Sequence, residues 1–144
     1  MIPKIATILC LLAWATISSG QVVVIAHKSV PMDTIKKSLL LDFYACDIKK
    51  WSDGQPVVVL DLKLQNGIRT TFYNYLGKSS SRMKSIWLKK LLSGEGEPPE
   101  AMNSEEEVLR KVAATAGAIG FVSKTKVREN VKILLEINDE KQQQ

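Results

Sequence analysis

The sequence predicts an α/β domain with a mostly parallel central sheet flanked by helices, and three observations lead there. Two runs, Val22-Val23-Val24-Ile25-Ala26 and Val57-Val58-Val59-Leu60, are apolar without alternation, as strands are when helices cover both faces of a parallel sheet. Segments with apolar residues at helical spacing lie between and after these runs. Turn-forming residues at Ser52-Asp53-Gly54, Asn66-Gly67 and Gly94 separate one segment from the next.

In chain order, Lys4 precedes an uncharged apolar stretch from Ile5 to Ile17, followed by Ser18-Ser19-Gly20. That layout predicts a signal peptide over residues 1–20, cleaved near Gly20, and therefore a periplasmic or secreted protein. The stretch is shorter than the roughly 18 apolar residues of a membrane span, although an uncleaved anchor is the alternative. Cys10 does not mark a lipoprotein signal, because Leu9 stands where a small residue is required and the apolar run continues past it. After the first strand, Asp33 or Thr34 is placed to cap a helix in which Ile35, Leu39 and Phe43 share a face and Lys36 and Lys37 meet solvent. The joint at Ser52-Asp53-Gly54, stiffened by Pro56, leads into the second strand. Asn66-Gly67 starts a helix with Ile68, Phe72, Tyr75 and Leu76 on one side. Ser79-Ser80-Ser81 opens another, with Met83, Ile86, Trp87 and Leu91, closed by Gly94. Glu97-Pro98-Pro99-Glu100 reads as a stiff surface connection. Ser104 with Glu107 forms a capping box before Val108, Leu109 and Val112. Ala118 to Val122 makes a short strand in which Gly120 permits close approach, and Val131, Ile133, Leu135 and Ile137 alternate with polar residues as a half-exposed edge strand. Residues 139–144 form a polar tail.

The 144 residues, less a 20-residue leader, suffice for one domain, the span 21–138. Net charge is +5, or +4 once Lys4 leaves with the leader. The basic residues come as separated pairs, Lys36-Lys37, Lys49-Lys50 and Lys89-Lys90, with no run that would track phosphates, so no nucleic-acid partner is expected. Of two cysteines only Cys46 survives cleavage, and His27 is the single histidine. A structural, half-buried thiol is expected, and neither a metal-ligand set nor a cofactor signature is found. No paired carboxylates in an apolar setting, no nucleophile with a base and no lysine-containing phosphate loop stand out, so no enzyme is expected.

Four segments together resemble a known family. They are Leu41…Phe43…Trp51-Ser52-Asp53-Gly54, Arg69-x-x-Phe72…Leu76-Gly77, Trp87…Leu92-Ser93-Gly94-x-Gly96-x-Pro98-Pro99, and Gly117-Ala118-Ile119-Gly120-Phe121-Val122. In this order they resemble the small exported relatives of the phosphate-binding proteins of ABC transporters. The resemblance implies a type II periplasmic-binding-protein fold, a role in holding phosphate or a related oxyanion, and a packing role for Trp51 at the helix-to-strand joint. It also implies a departure: those proteins close two lobes over the anion, and this chain has residues for one. Where they carry a Ser-Gly-Thr turn, Asn66-Gly67-Ile68 stands, with the glycine alone retained.

The candidate ligand-binding residues are therefore Ser29, Asn66, Gly67, Arg69 and Thr70. A helix start offers free amides and a positive dipole end to an anion, and Arg69 and Thr70 add donors. A cation in a first helical turn opposes that dipole, so Arg69 needs a partner, which is an oxyanion, an ion pair with Asp61 or Asp53, or packing over Trp51. Two functions stay open. One is oxyanion capture, alone, as a homodimer that rebuilds a cleft, or beside a membrane transporter or sensor. The other is an interaction or structural module that kept the lobe and lost the ligand.

Overall fold

The computed structural model describes residues 21–63 and 67–138. Residues 1–20, to which the signal-peptide expectation belongs, residues 64–66, Asn66 among them, and residues 139–144 lie outside the described residues.

The elements follow one another as β1 (Val22–Ala26), α1 (Lys37–Tyr44), β2 (Val58–Leu62), α2 (Gly67–Leu76), α3 (Ser80–Leu92), β3 (Glu100–Met102), α4 (Glu105–Ala114), β4 (Ala118–Ser123), a 3-10 turn at Lys124–Lys126 and β5 (Lys132–Ile137). They form one five-stranded sheet in the order β3-β2-β4-β1-β5. β2 pairs in parallel with β3 and β4, and β1 pairs antiparallel with β4 and β5. Four strands thus point one way and β1 alone opposes them. Its unbroken apolar run is fully buried, as the sequence requires, yet its neighbours are antiparallel. Burial on both faces is what the residues specify; direction follows from how the chain enters and leaves.

The two faces of the sheet are covered by different elements. At Gly120, a Cβ would lie 2.8 Å from Cγ1 of Val108, so glycine lets α4 settle directly on β4. Phe121, the next residue, stacks at 4.0 Å on Phe72 of α2 on the other face. Tyr44, Tyr73 and Trp87 extend this aromatic cluster to α1, α2 and α3. The Trp87 indole also donates to the Tyr44 carbonyl at 2.7 Å, fixing α3 to the end of α1. Trp51 is 3% exposed, edge-on to Phe43 at 4.8 Å, and donates to the Gly117 carbonyl at 2.9 Å. The joint between α1 and β2 is a packed structural feature.

Three local expectations are corrected. First, α1 begins at Lys37, with Lys36 as a cap position that makes no side-chain bond, so neither Asp33 nor Thr34 caps it. Ile35 is instead buried with its amide bonded to the Leu134 carbonyl of β5 at 3.2 Å. Second, β5 does not alternate throughout. Val24 faces Leu135 and Ile25 faces Ile133, so Leu134 is an extra residue, a β-bulge. The buried set becomes Val131, Leu134 and Ile137, and Ile133 turns outward. Third, Glu100 belongs to β3, which Leu60–Leu62 recruits as a short edge strand. The capping box holds in substance: Ser104 Oγ accepts from the Glu107 amide at 3.2 Å, while the Glu107 carboxylate reaches the amide of Asn103 rather than Ser104.

Candidate ligand site at the start of α2

Strand order reverses around β2: the chain leaves β2, builds β3 on one side, then crosses back to build β4 on the other. In open α/β sheets the crevice outside the carboxyl ends of strands at such a switch is where ligands bind. Here that end gathers the start of α2, the start of α4 and the end of β4. Gly67 and Thr70 are exposed there. A Cβ on Gly67 would meet nothing within 4 Å, so the fold itself makes no demand for glycine at this position. Asn66 lies outside the described residues.

Arg69 points inward. It is 5% exposed and grips Asp61 of β2 with two bonds, Nη2 to Oδ2 at 3.0 Å and Nε to Oδ1 at 3.2 Å. Its Nη1 donates to the Ser80 hydroxyl, and the guanidinium lies over the Tyr73 ring at 4.8 Å. Burial works against the arginine charge, but the hydrogen bonds and charge of Asp61 outweigh it and hold the pKa above the ordinary value. Asp61 Oδ1 also accepts from the Leu62 amide at 2.8 Å. Of the protein groups the sequence offered it, Arg69 pairs with Asp61, as a buried brace. Asp53 instead caps its own turn by accepting from the Gln55 amide, and the ring beneath the guanidinium is Tyr73, not Trp51.

Two phenols complete the buried cluster. Tyr44 donates to the Leu60 carbonyl at 2.7 Å, whereas the enclosed Tyr73 hydroxyl makes no well-formed hydrogen bond among the described residues, with Asp61 and Arg69 as its polar neighbours. Burial is the main cause that raises both pKa values far above the ordinary tyrosine value, with the Asp61 charge adding to it.

Ser29 is not part of this arrangement. β1 runs against the other strands, so its end lies at their amino ends, where Ala26 pairs with Ile119 near the start of β4. There the Ser29 hydroxyl sits 2.8 Å from His27 Nδ1, bonds to Gln55 at 3.2 Å and accepts from the Gly117 amide at 3.3 Å. One anion cannot touch both Ser29 and the start of α2, and Ser29 is withdrawn from the candidate site. At α3, Ser79 accepts from the Arg82 amide as a helix cap.

A further pairing at the carboxyl end was not visible in sequence. Glu105, in the first turn of α4, accepts from both the amide and the hydroxyl of Ser123 at 2.6 and 2.7 Å. Nothing in their spacing of 18 residues announces the contact. Cys46 is half-buried, with Sγ 3.0 Å from the Glu97 carbonyl, and burial raises the thiol pKa despite Lys49 and Lys90 nearby. It is a packing residue.

Comparison with solved structures now bears on the fold. A protein assigned as a phosphate ABC transporter substrate-binding protein from Clostridium perfringens, with bound phosphate, superposes with a TM-score of 0.66 at 18% identity, over 80% of this chain and 45% of that one. This chain has the fold of one lobe of such a protein. An ABC-type phosphate transport receptor from Vibrio cholerae gives a TM-score of 0.64 at 18% identity, over 80% of this chain and 46% of that one. PstS from Borrelia burgdorferi gives 0.58 at 14%, over 80% and 47%. The phosphate-binding-protein-like lobe therefore spans just under half the length of the solved proteins it resembles. No protein-family model and no curated protein matches the chain. Among the described residues no group of acidic, His or Cys side chains could hold a metal ion, and no helix is long and apolar enough to cross a membrane.

Proposed function

We propose that the lobe, residues 21–138 of an exported chain, is a non-catalytic binding module that takes phosphate or a similar oxyanion at the start of α2. The observation that carries this reading is the placement of exposed Gly67 and Thr70 outside the carboxyl end of β2, at the reversal of strand order. The buried Arg69–Asp61 pair contributes by pinning α2 to β2 rather than by touching the anion. A single lobe leaves one side of an anion open to water, so the partner would supply the rest: a second copy, a transporter or a sensor at the membrane.

Calorimetric titration with phosphate and sulfate tests the reading, wild type against Gly67→Ala. The added methyl fits the folded chain but occupies the space an anion needs to reach the helix amides. Saturable binding at millimolar concentration or tighter, weakened about tenfold or more in the variant with unchanged melting, supports it. Silence across both anions refutes it.

A second reading is favoured by a specific observation. The strong donors at this end are already matched by internal carboxylates, Arg69 by Asp61 and Ser123 by Glu105. A lobe whose anion donors are satisfied from within would serve as an interaction module without a ligand. Absence of binding in the same titration selects it.

A further inference from the structure

Helix α3 carries two apolar stripes. Met83 and Trp87, four residues apart, face the core. Leu88 and Leu92, also four apart, fall on the opposite side at about 100° per residue. Leu88 is 56% exposed, Leu91 50% and Leu92 79%, the three most exposed large apolar side chains among the described residues. Folding has left them in water, which calls for a partner surface.

The flanks of the stripe indicate what kind. Lys89 borders the leucines on one side, Lys84 lies one turn before Leu88 on the same face, Arg82 lies earlier on the Lys89 side, and α3 contains no Asp or Glu. Lys90 turns the other way, to Asp47 at 2.8 Å and Glu95 at 3.3 Å. A second copy of the same helix would set lysine against lysine, so self-association through this face is opposed by charge. The first half of the face carries Ser81 and Ser85, while the leucines occupy the last turns. That gradient suits shallow, tilted entry into a lipid headgroup layer, with leucines at the acyl boundary and lysine ammonium groups among anionic headgroups.

We infer that the Leu88–Leu91–Leu92 face of α3 docks on an anionic membrane surface. Its position is compatible with ligand capture. Lys90 holds Asp47, which follows α1 and precedes the amino end of β2, so the leucine-rich end lies toward the amino end of β2, away from the start of α2 at its carboxyl end. Docking there leaves the candidate ligand site open, and the inference does not depend on what that site binds.

The test is co-sedimentation of the chain from Gln21 onward with vesicles of phosphatidylcholine, alone or mixed with an equal part of phosphatidylglycerol. Residues 5–17 are apolar and would bind either vesicle type, so leaving them out makes differences between variants report on α3. The expected result is stronger binding to mixed vesicles, reduced about tenfold or more in Leu88→Ser/Leu92→Ser and in Lys84→Glu/Lys89→Glu. Circular dichroism should show all variants folded and melting only slightly below wild type, because none of these side chains is in the core and only helix propensity and the end charge change. Binding that is unchanged in the leucine variant, or equal on both vesicle types, overturns the inference. So does a lipid-free wild-type dimer that the leucine substitutions dissociate, which would make the face a contact between copies.

Discussion

Arg69 sits in the first turn of α2, where the helix dipole disfavours a cation by a few tenths of a kcal/mol, and Asp61 more than offsets that. The pair is 6% and 5% exposed, so removing one partner strands the other charge away from water. Arg69→Ala should therefore lower stability by about 3 to 5 kcal/mol, while Asp61→Leu with Arg69→Met should cost much less. Urea denaturation of the two variants measures this, and a loss under about 1 kcal/mol for Arg69→Ala would contradict the brace. Tyr73 makes the complementary case. Its hydroxyl is buried without a well-formed hydrogen bond, so Tyr73→Phe should leave stability unchanged or raise it by up to about 1 kcal/mol, whereas Tyr44→Phe abandons the Leu60 carbonyl and should cost about 1 to 2 kcal/mol. Both folded-state pKa values lie above the unfolded value of about 10, so the stability they contribute is complete below that pH and is lost as pH rises beyond it. Alkaline unfolding should accordingly be shallower in Tyr73→Phe, as followed by circular dichroism from neutral pH upward.

Among the elements, the helix ends show how one residue type substitutes for another. α2 and α3 finish with Gly77 and Gly94 at φ of 76° and 72°, each followed by an amide that reaches back five residues to a carbonyl, Lys78 to Tyr73 and Glu95 to Lys90. α1 ends in the same motif, with Asp47 bonded to Asp42, but the left-handed position is Cys46 at φ 63°. A side chain there costs about 1 kcal/mol or more, retained here by the thiol's contact with the Glu97 carbonyl and its packing on Gly96. Cys46→Gly should melt higher than Cys46→Ala by the equivalent of about 1 kcal/mol, because both lose the thiol and only glycine relieves the backbone. The reverse order in thermal melts would show that packing outweighs strain. On the sheet, Gly120→Ala should cost about 1 to 3 kcal/mol, since its methyl meets Val108 at 2.8 Å and must push α4 away from β4. Guanidinium titration measures it; a neutral result would mean that α4 shifts freely.

For the whole molecule, a ligand that binds only the folded lobe must stabilise it. Phosphate at tenfold over its dissociation constant should add about 1.4 kcal/mol to the unfolding free energy, seen as a rise in melting temperature that sodium chloride at equal ionic strength does not reproduce. No rise would favour the ligand-free module. Half the length of a two-lobed binder is enough to form this sheet and its core, because all of the buried aromatic contacts, from Tyr44 through Phe72 and Tyr73 to Phe121, lie within the one lobe.

The sequence by itself determined which segments would be buried and which would turn. The unbroken run Val22–Ala26, the period of Met83 and Trp87, the Ser104 capping box and the glycine at 120 each carry their reason in local chemistry, and the lobe fold with its mostly parallel sheet was legible from their order. Only the tertiary structure decided three other matters. It set the direction of β1, because an apolar strand buried on both faces pairs as well antiparallel as parallel. It placed the bulge at Leu134, because that depends on which residue of β1 stands opposite. And it gave Arg69 to Asp61 and Ser29 to the opposite end of the strands, because a charged or polar side chain takes whatever complementary group folding brings within about 3 Å, and sequence spacing does not encode that distance.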